Sequence, residues 1–170
     1  GSTWGKTFIA WLDKDWDCAG SRTLIVTPIG LIMFVFKAKR AKLKSPISTI
    51  QTILSTDNGY NWKPYGKKIH LYADWTEMNT SGNLHILNNG SWIVPVYGSD
   101  EPNGPTYPAI AQSKDAGLSW TIISCIKTTD KVELHECSMA KTKDDRFLGV
   151  IRNQTPPYVS SVSYTHLTLP

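Results

Sequence analysis

Short apolar runs, interrupted by turn residues, follow one another along the chain in a repeating order. A first pair of runs spans residues 24–36, a second spans 84–97 and a third spans 138–152. Each pair is divided by residues that favour tight turns, at 28–30, 88–90 and 143–145. No long stretch shows the periodicity of an amphipathic helix. The pattern therefore predicts an all-β chain built from antiparallel hairpins.

A third strand is predicted after each hairpin, and in the first two copies it leads into a shared motif. These third strands are residues 49–54, 107–112 and 158–163. The motif has the form S-x-D-x-G-x-x-W, and its two copies begin 58 positions apart. Its fixed residues are Ser55, Asp57, Gly59 and Trp62 in the first copy, and Ser113, Asp115, Gly117 and Trp120 in the second. A repeat of this length predicts a β-propeller, with one four-stranded antiparallel blade in each copy.

The motif residues have side chains suited to a structural turn between the third and fourth strands. Asp57 is expected to accept hydrogen bonds from turn amides, and Gly59 to supply a positive φ. Trp62 is expected to bury its ring under the hairpin. The second copy carries Asp115, Gly117 and Trp120 at these positions. A catalytic role for either aspartate is the weaker interpretation.

Composition and charge exclude several classes of function. The chain has 170 residues, 41% of them hydrophobic, and a net charge of +4 that gives no reason to expect nucleic-acid binding. The basic residues between positions 37 and 44 are expected to form a solvated loop. The longest apolar run, 30–36, is too short to cross a bilayer. Three cysteines, Cys18, Cys125 and Cys137, lack zinc-site spacing and are expected to be free thiols, and neither a metal nor an organic cofactor is expected.

Paired motifs of this form resemble the Asp-box, or BNR repeat, of the sialidase (neuraminidase) superfamily, whose members are six-bladed β-propellers. The similarity covers residues 20–163 and includes the strand Leu87–Tyr97 before the second motif. It implies a partial propeller over 1–163 with two and a half to three blades, at roughly 20–66, 80–124 and 134–163. Residues 6–16 are then expected to be the outgoing edge of a preceding blade, and 164–170 a tail foreign to the fold.

Two charged residues sharpen this resemblance. Glu136 begins one predicted strand and Arg152 ends the next, as in the sialidase pair of a glutamate that assists a tyrosine nucleophile and an arginine that binds the substrate carboxylate. The resemblance therefore implies a catalytic role for Glu136 and carboxylate binding by Arg152. A guanidinium matches a carboxylate with two parallel hydrogen bonds, which suits such a role. A salt-bridged pair that only closes the blade is the structural alternative.

Other parts of the sialidase pattern are missing from the chain. The position of the acid/base aspartate holds Ser48 and Thr49, and Arg22 stands in the wrong context for the first arginine of the family. The simplest interpretation places that arginine and aspartate on a blade upstream of residue 1. The nucleophile is expected outside this segment, so none of the tyrosines considered is assigned that role; they are Tyr60, Tyr65, Tyr72, Tyr97, Tyr107 and Tyr158. His166, in the tail, is not a candidate base.

These residues lead to one principal function and two alternatives. The resemblance implies a fragment of an exo-α-sialidase that releases terminal sialic acid from glycans by a retaining mechanism, inactive as a fragment, in a secreted or cell-surface protein. One alternative is a non-catalytic Asp-box propeller that binds glycan or protein, because the acid/base is missing. The other is a superfamily hydrolase that acts on another sugar.

Overall fold

The computed structural model describes residues 3, 5–19, 23–39, 47–69, 77–80, 82–99, 101, 104–126, 133–143, 146–153 and 161–163. These residues form thirteen β-strands in three antiparallel sheets, and none of them lies in a helix. The all-β class predicted from the hairpin pattern is therefore observed. The sheets follow one another along the chain and are called sheets 1, 2 and 3.

Sheet 1 contains β1 (Asp17–Ala19), β2 (Leu24–Thr27), β3 (Gly30–Lys39), β4 (Ile47–Ser55) and β5 (Lys63–Pro64). The order is β1-β3-β4-β5, and β2 also pairs with β3. The first strand position is thus divided into two short strands, which lie along the same edge of β3. The fourth position is short, but the chain continues along β4 through an Ile69 N–H that donates to Ile50 O at 3.1 Å.

Sheet 2 repeats this layout with β6 (Glu77–Thr80), β7 (His85–Ile86), β8 (Trp92–Ser99), β9 (Tyr107–Ser113) and β10 (Thr121–Cys125). The order is β10-β9-β8-β6, and β7 also pairs with β8. The gap between β6 and β7 lies opposite Pro95, which has no N–H to offer a neighbouring strand. A Cβ on Gly82, inside this gap, would lie 2.0 Å from Pro95 Cγ. The absence of a side chain there lets the chain pass over the proline ring.

Sheet 3 contains β11 (Leu134–Lys141), β12 (Phe147–Asn153) and β13 (Ser161–Ser163), in that order. The pairing of β11 with β12 shifts between Leu134 and Cys137, which places Glu136 at an irregularity in the strand. The predicted turn at 143–145 and the predicted third strand at 158–163 are described only in part. The tail 164–170 lies outside the described residues.

The three sheets pack face to face in chain order, because each central strand is apolar on both sides. Between sheets 1 and 2 the core contains Ile32, Phe34, Ile50 and Leu54 from one side and Trp92, Val94, Val96, Tyr107, Ala109 and Ala111 from the other. Between sheets 2 and 3 it contains Leu87, Ile93 and Ile110 against Leu134, Cys137, Met139, Phe147 and Ile151. Hydrogen bonds also join the sheets: Ser48 Oγ donates to Met78 O at 3.1 Å, and Thr106 Oγ1 donates to Leu134 O at 2.9 Å.

One expectation at the start of the chain is wrong. Lys37 does not belong to a solvated loop: it lies in β3, is only 4% exposed and forms an ion pair with Asp13. Its ammonium also lies 5.5 Å from the centre of the Trp16 ring. Residues 5–16 form no strand in the described structure, and the assignment of 6–16 to the edge of a preceding blade stays a prediction. In the structure this segment shields the buried Lys37 ammonium.

Candidate functional site

The first S-x-D-x-G-x-x-W motif, called the first box, connects β4 to β5 and is held by a compact set of hydrogen bonds. Ser55 Oγ donates to Asp57 Oδ1 at 2.8 Å and accepts from Gly59 N at 2.8 Å. The same Asp57 oxygen accepts from Asn61 N at 2.8 Å. Trp62 Nε1 donates to Gly59 O at 2.9 Å, so the indole closes the loop. These residues bind to one another and build the turn.

The second box, between β9 and β10, has the same hydrogen bonds. Ser113 Oγ donates to Asp115 Oδ1 at 2.7 Å and accepts from Gly117 N at 2.7 Å. Ser119 N donates to Asp115 Oδ1 at 2.8 Å, and Trp120 Nε1 donates to Gly117 O at 3.2 Å. The box is therefore a repeated structural unit, because the spacing of the motif brings the same donors and acceptors together in both copies.

Each box contains two successive residues with positive φ. The expected glycines have φ of 91° at Gly59 and 90° at Gly117, but the preceding Asn58 and Ala116 also have positive φ, 58° and 55°. The motif leaves the residue before the glycine unspecified, so the sequence did not predict a positive φ there. Asparagine tolerates the left-handed region, whereas alanine adopts it only at a cost.

Hydrogen bonding keeps both box aspartates ionised. The Asn61 amide groups and the Ser55 hydroxyl lower the pKa of Asp57 to about 2. The Ser119 hydroxyl, helped by the Ser119 and Asp115 amides and Ser113, lowers the pKa of Asp115 to about 2. A carboxylic acid with so low a pKa has no proton to give near neutral pH, which argues against general-acid catalysis by either residue.

The second box is also a contact between sheets. Trp120 packs edge to face on Phe34 of sheet 1, with ring centroids 5.6 Å apart. Tyr65 Oη donates to Ala116 O at 3.1 Å, and Lys67 N donates to Leu118 O at 2.8 Å. The Trp120 ring is thus half-buried against the preceding sheet, whereas the sequence suggested burial under its own hairpin.

Glu136 and Arg152 meet at one end of sheet 3. Arg152 Nε donates to Glu136 Oε2 in a close charge-assisted hydrogen bond. The Arg152 side chain is 52% exposed and that of Glu136 is 20% exposed, so the pair lies at the surface and opens to solvent. The hydrogen bond to Glu136 raises the pKa of Arg152, with a smaller contribution from Tyr97. The guanidinium has five N–H donors, and this contact uses only the one on Nε.

Four further residues, Thr106, Glu133, His135 and Tyr97, form a cluster next to Glu136 in the chain, and Tyr97 links it to Arg152 by a weak electrostatic effect. The Thr106 hydroxyl donates its proton to Leu134 O at 2.9 Å, so the 3.1 Å contact between Thr106 Oγ1 and His135 Nδ1 makes Nδ1 the donor. His135 Nε2 then faces Glu133 at 3.4 Å, an ion-pair distance without hydrogen-bond alignment. Tyr97, at the end of β8, presents its ring edge-on to His135 at 6.0 Å. In the sequence, only the position of His135 next to Glu136 indicated that one of these residues lies near the pair.

The remaining sequence candidates lie elsewhere. Ser48 and Thr49, in the expected acid/base position, are buried, and Ser48 also accepts from Met78 N at 2.8 Å. Tyr60 is 79% exposed on the first box, whereas Tyr107 is buried in the core between sheets 1 and 2. Arg22, Tyr72, Tyr158 and His166 lie outside the described residues.

Other kinds of site receive no support from the described part of the chain. No group of three or more His, Cys, Asp or Glu side chains there could hold a metal ion. Cys125 and Cys137 are not joined in a disulfide, and burial raises the pKa of Cys137 to about 11. A helix long and apolar enough to span a membrane is not found among these residues.

Comparison with known proteins gives structural similarity without sequence similarity. No protein-family model matches the chain, and no curated protein matches it. A crystal structure of a protein of unknown function from Dyadobacter fermentans matches with a TM-score of 0.61 and 21% identity, over 79% of this chain and 43% of that chain. A sialidase from Trypanosoma rangeli, in complex with the inhibitor DANA, matches with a TM-score of 0.50 and 18% identity, over 81% of this chain and 25% of that chain.

The chain therefore spans less than half the length of either protein. At these identities the similarity concerns the fold alone. The chain is an all-β protein of antiparallel sheets whose arrangement is similar to part of a sialidase structure.

Proposed function

We propose that the chain is part of a six-bladed Asp-box β-propeller of the sialidase type, with blades near 20–66, 80–124 and 134–163. In this proposal the whole protein is an exo-α-sialidase that cleaves terminal sialic acid from glycans. Glu136 assists a tyrosine nucleophile from another part of the protein, and Arg152 binds the substrate carboxylate. The observation that supports this most is the exposed Glu136–Arg152 pair at one end of sheet 3.

The chemistry of the pair fits an anionic sugar. Glu136 binds Arg152 through Nε and so orients the guanidinium, and the terminal nitrogens can then form two parallel hydrogen bonds with a carboxylate. Sialic acid is a terminal sugar whose carboxylate fits such a group.

A non-catalytic glycan-binding propeller is the second candidate. It is favoured by the two hydroxyl residues in the expected acid/base position, since Ser48 Oγ bonds to both Met78 O and Met78 N. That hydroxyl is committed to joining sheets 1 and 2 and cannot protonate a leaving group. A superfamily hydrolase for a neutral sugar is the third candidate, and for it Arg152 would not bind substrate.

The binding part of the proposal can be tested with this chain. We would follow its NMR spectrum during titration with the methyl α-glycoside of sialic acid and, separately, with the methyl ester of the same glycoside. The acid should bind with a dissociation constant of about 1 mM, and the ester should bind at least about tenfold more weakly, because it lacks the charge. Arg152→Ala should remove the preference for the acid, while Arg146→Ala, which removes an exposed guanidinium near the start of β12, should retain it.

The catalytic part requires the longer reading frame. Release of sialic acid from a fluorogenic sialoside, lost in Glu136→Gln and in Arg152→Ala, would support the enzyme. Binding of the acid without turnover by the longer protein would support the glycan-binding candidate. Equal affinity of the chain for acid and ester would contradict a carboxylate-binding role for Arg152.

A further inference from the structure

Two residues of β11, His135 and Glu136, lie opposite the single residue Arg152 of β12. The flanking pairs that fix this register are Leu134 with Asn153 and Cys137 with Ile151. Such a two-against-one arrangement is a β-bulge, which bends a strand and redirects its side chains. The bulge therefore determines which residue of β11 faces Arg152.

The bulge turns His135 towards sheet 2 and leaves Glu136 at the surface. Leu134 belongs to the core between sheets 2 and 3. The next residue, His135, is only 9% exposed, and its ring packs edge-on against Tyr97 of sheet 2. Successive residues of a regular strand point to opposite sides, so Leu134 and His135 could not both meet sheet 2 without the bulge. Glu136 follows this irregularity, and its carboxylate binds Arg152.

Thr106, the residue before β9 of sheet 2, holds the start of the bulge. Its carbonyl accepts a hydrogen bond from Leu134 N at 3.0 Å, and its hydroxyl donates to Leu134 O at 2.9 Å. The same hydroxyl accepts from His135 Nδ1 at 3.1 Å. Because a bulge disrupts the ladder locally, contacts from outside the sheet are needed to hold it in place. The His135 imidazole is thus tied to sheet 2 at the point where β11 departs from regular pairing.

We propose that His135 is a positioning residue for the Glu136–Arg152 pair. Its bond to Thr106 fixes the bulge, and the bulge places Glu136 opposite the guanidinium. Without the bulge, the pairing that begins at Leu134 would place His135 opposite Arg152 instead of Glu136. The consequence for an anionic sugar rests on the proposed function, whereas the effect on the ion pair does not.

The test is the NMR signal of the Arg152 Nε proton in the intact chain, assigned by its absence in Arg152→Ala. Hydrogen bonding to Glu136 slows the exchange of this proton with water. His135→Ala should make the exchange about 3- to 10-fold faster, the factor expected from the loss of one net hydrogen bond. His135→Asn should keep the exchange close to that of the wild type, because its side-chain amide can donate to Thr106 in place of Nδ1.

Thr106 provides a second pair of variants, which decides the matter if His135→Ala does not fold. Thr106→Val keeps the shape of the side chain but removes its hydroxyl, so the Arg152 Nε proton should exchange faster, as in His135→Ala. Thr106→Ser keeps the hydroxyl and both of its hydrogen bonds, so its exchange should equal that of the wild type.

His85→Ala is the matched control, because His85 makes the same kinds of contact between sheets 2 and 3. Its Nε2 donates to Met139 O at 3.1 Å, and its ring packs edge-on against Phe147 at 5.2 Å. This variant should loosen sheet 3 without changing the exchange at Arg152. Equal acceleration in His85→Ala and His135→Ala would overturn the proposal, and so would unchanged exchange in both His135→Ala and Thr106→Val.

Affinity for the methyl α-glycoside of sialic acid separates this proposal from the proposed function. If Arg152 binds the carboxylate, His135→Ala should weaken binding of the acid and leave binding of its methyl ester unchanged. Suppose instead that the wild type binds acid and ester equally, while His135→Ala still accelerates the exchange. That result would contradict carboxylate binding by Arg152 and would support the positioning role of His135.

Discussion

Trp120 meets Phe34 edge to face across the boundary between sheets 1 and 2, with ring centroids 5.6 Å apart and ring planes at 68°. The tryptophan is a fixed residue of the second S-x-D-x-G-x-x-W box, whereas the phenylalanine lies in the middle of β3 of the preceding sheet. A motif that reads as a local turn thus also contributes to the packing between repeats. The first box carries Trp62 at the same position, and no ring contact of Trp62 is found among the described residues.

The two rings should be energetically coupled. Phe34 is fully buried, so Phe34→Ala should cost about 3–5 kcal/mol of the free energy of unfolding. A double-mutant cycle of Phe34→Ala and Trp120→Ala should give a coupling of about 0.5–1.5 kcal/mol, the range for aromatic pairs. The measurement is urea unfolding followed by circular dichroism. The matched cycle with Trp62→Ala should give no coupling, and equal coupling in both cycles would contradict the assignment.

The two box glycines should respond differently to alanine. Both have positive φ, so either substitution strains the backbone by about 1–2 kcal/mol. An added Cβ at Gly59 would lie 3.5 Å from Leu31, an ordinary contact, whereas at Gly117 it would lie 2.9 Å from the Trp92 ring. Gly117→Ala should therefore lose about 1–3 kcal/mol more than Gly59→Ala, because the core must shift. Thermal unfolding of the two variants would measure both losses of stability. Equal losses would contradict the prediction and show that only backbone strain contributes.

Stability should fall in acid through the box aspartates. Their pKa values in the folded chain, about 2, lie below the ordinary value of 3.8, so the unfolded chain binds protons first as the pH falls. Their contribution is complete above pH 3.8 and is lost progressively as the pH falls towards 2.

The measurement is the urea midpoint between pH 6 and pH 2 for the wild type, Asp115→Asn and Asp57→Asn. Each variant should be less stable than the wild type at pH 6 and should show a shallower decline. Parallel curves for wild type and variants would mean that other carboxylates cause the acid sensitivity.

Cys137 should resist thiol reagents in the folded chain. Its pKa of about 11 against an ordinary 9.0 reduces the thiolate at pH 8 by about 100-fold, and burial hinders access as well. Cys125, which is half-buried, should react faster. Mass spectrometry after timed alkylation would rank the sites, and the difference should vanish in urea. Equal rates in the native chain would contradict the burial of Cys137.

Much of the fold could be predicted because its signals are local. The hairpin at 24–36 appears as β2 and β3, and the positive φ expected at Gly59 is observed. The contact between Glu136 and Arg152 could also be anticipated, because strand spacing brings residues on adjacent strands together. The functional roles of the two residues stay predictions.

The features that could not be predicted depend on distant partners. Burial of Lys37 needs Asp13, which lies 24 residues earlier in a segment with no strand pattern. The strand β6 has the sequence EMNT, whose single apolar residue gives no alternation to detect, and it pairs with β8 only in the folded chain. The division of the first strand of sheets 1 and 2 into two short strands could not be predicted either, because each short strand is defined by its pairing with β3 or β8.

Gly82 lies where the three sheets crowd together. Its carbonyl accepts a hydrogen bond from Thr23, the residue before β2 of sheet 1, and a Cβ on it would lie 2.0 Å from Pro95 of sheet 2 and 2.6 Å from the Cys137 carbonyl of sheet 3. No sheet can peel away without disturbing contacts at that residue. Instead of the stepwise loss of repeats seen in loosely coupled arrays, unfolding should therefore be a single cooperative event.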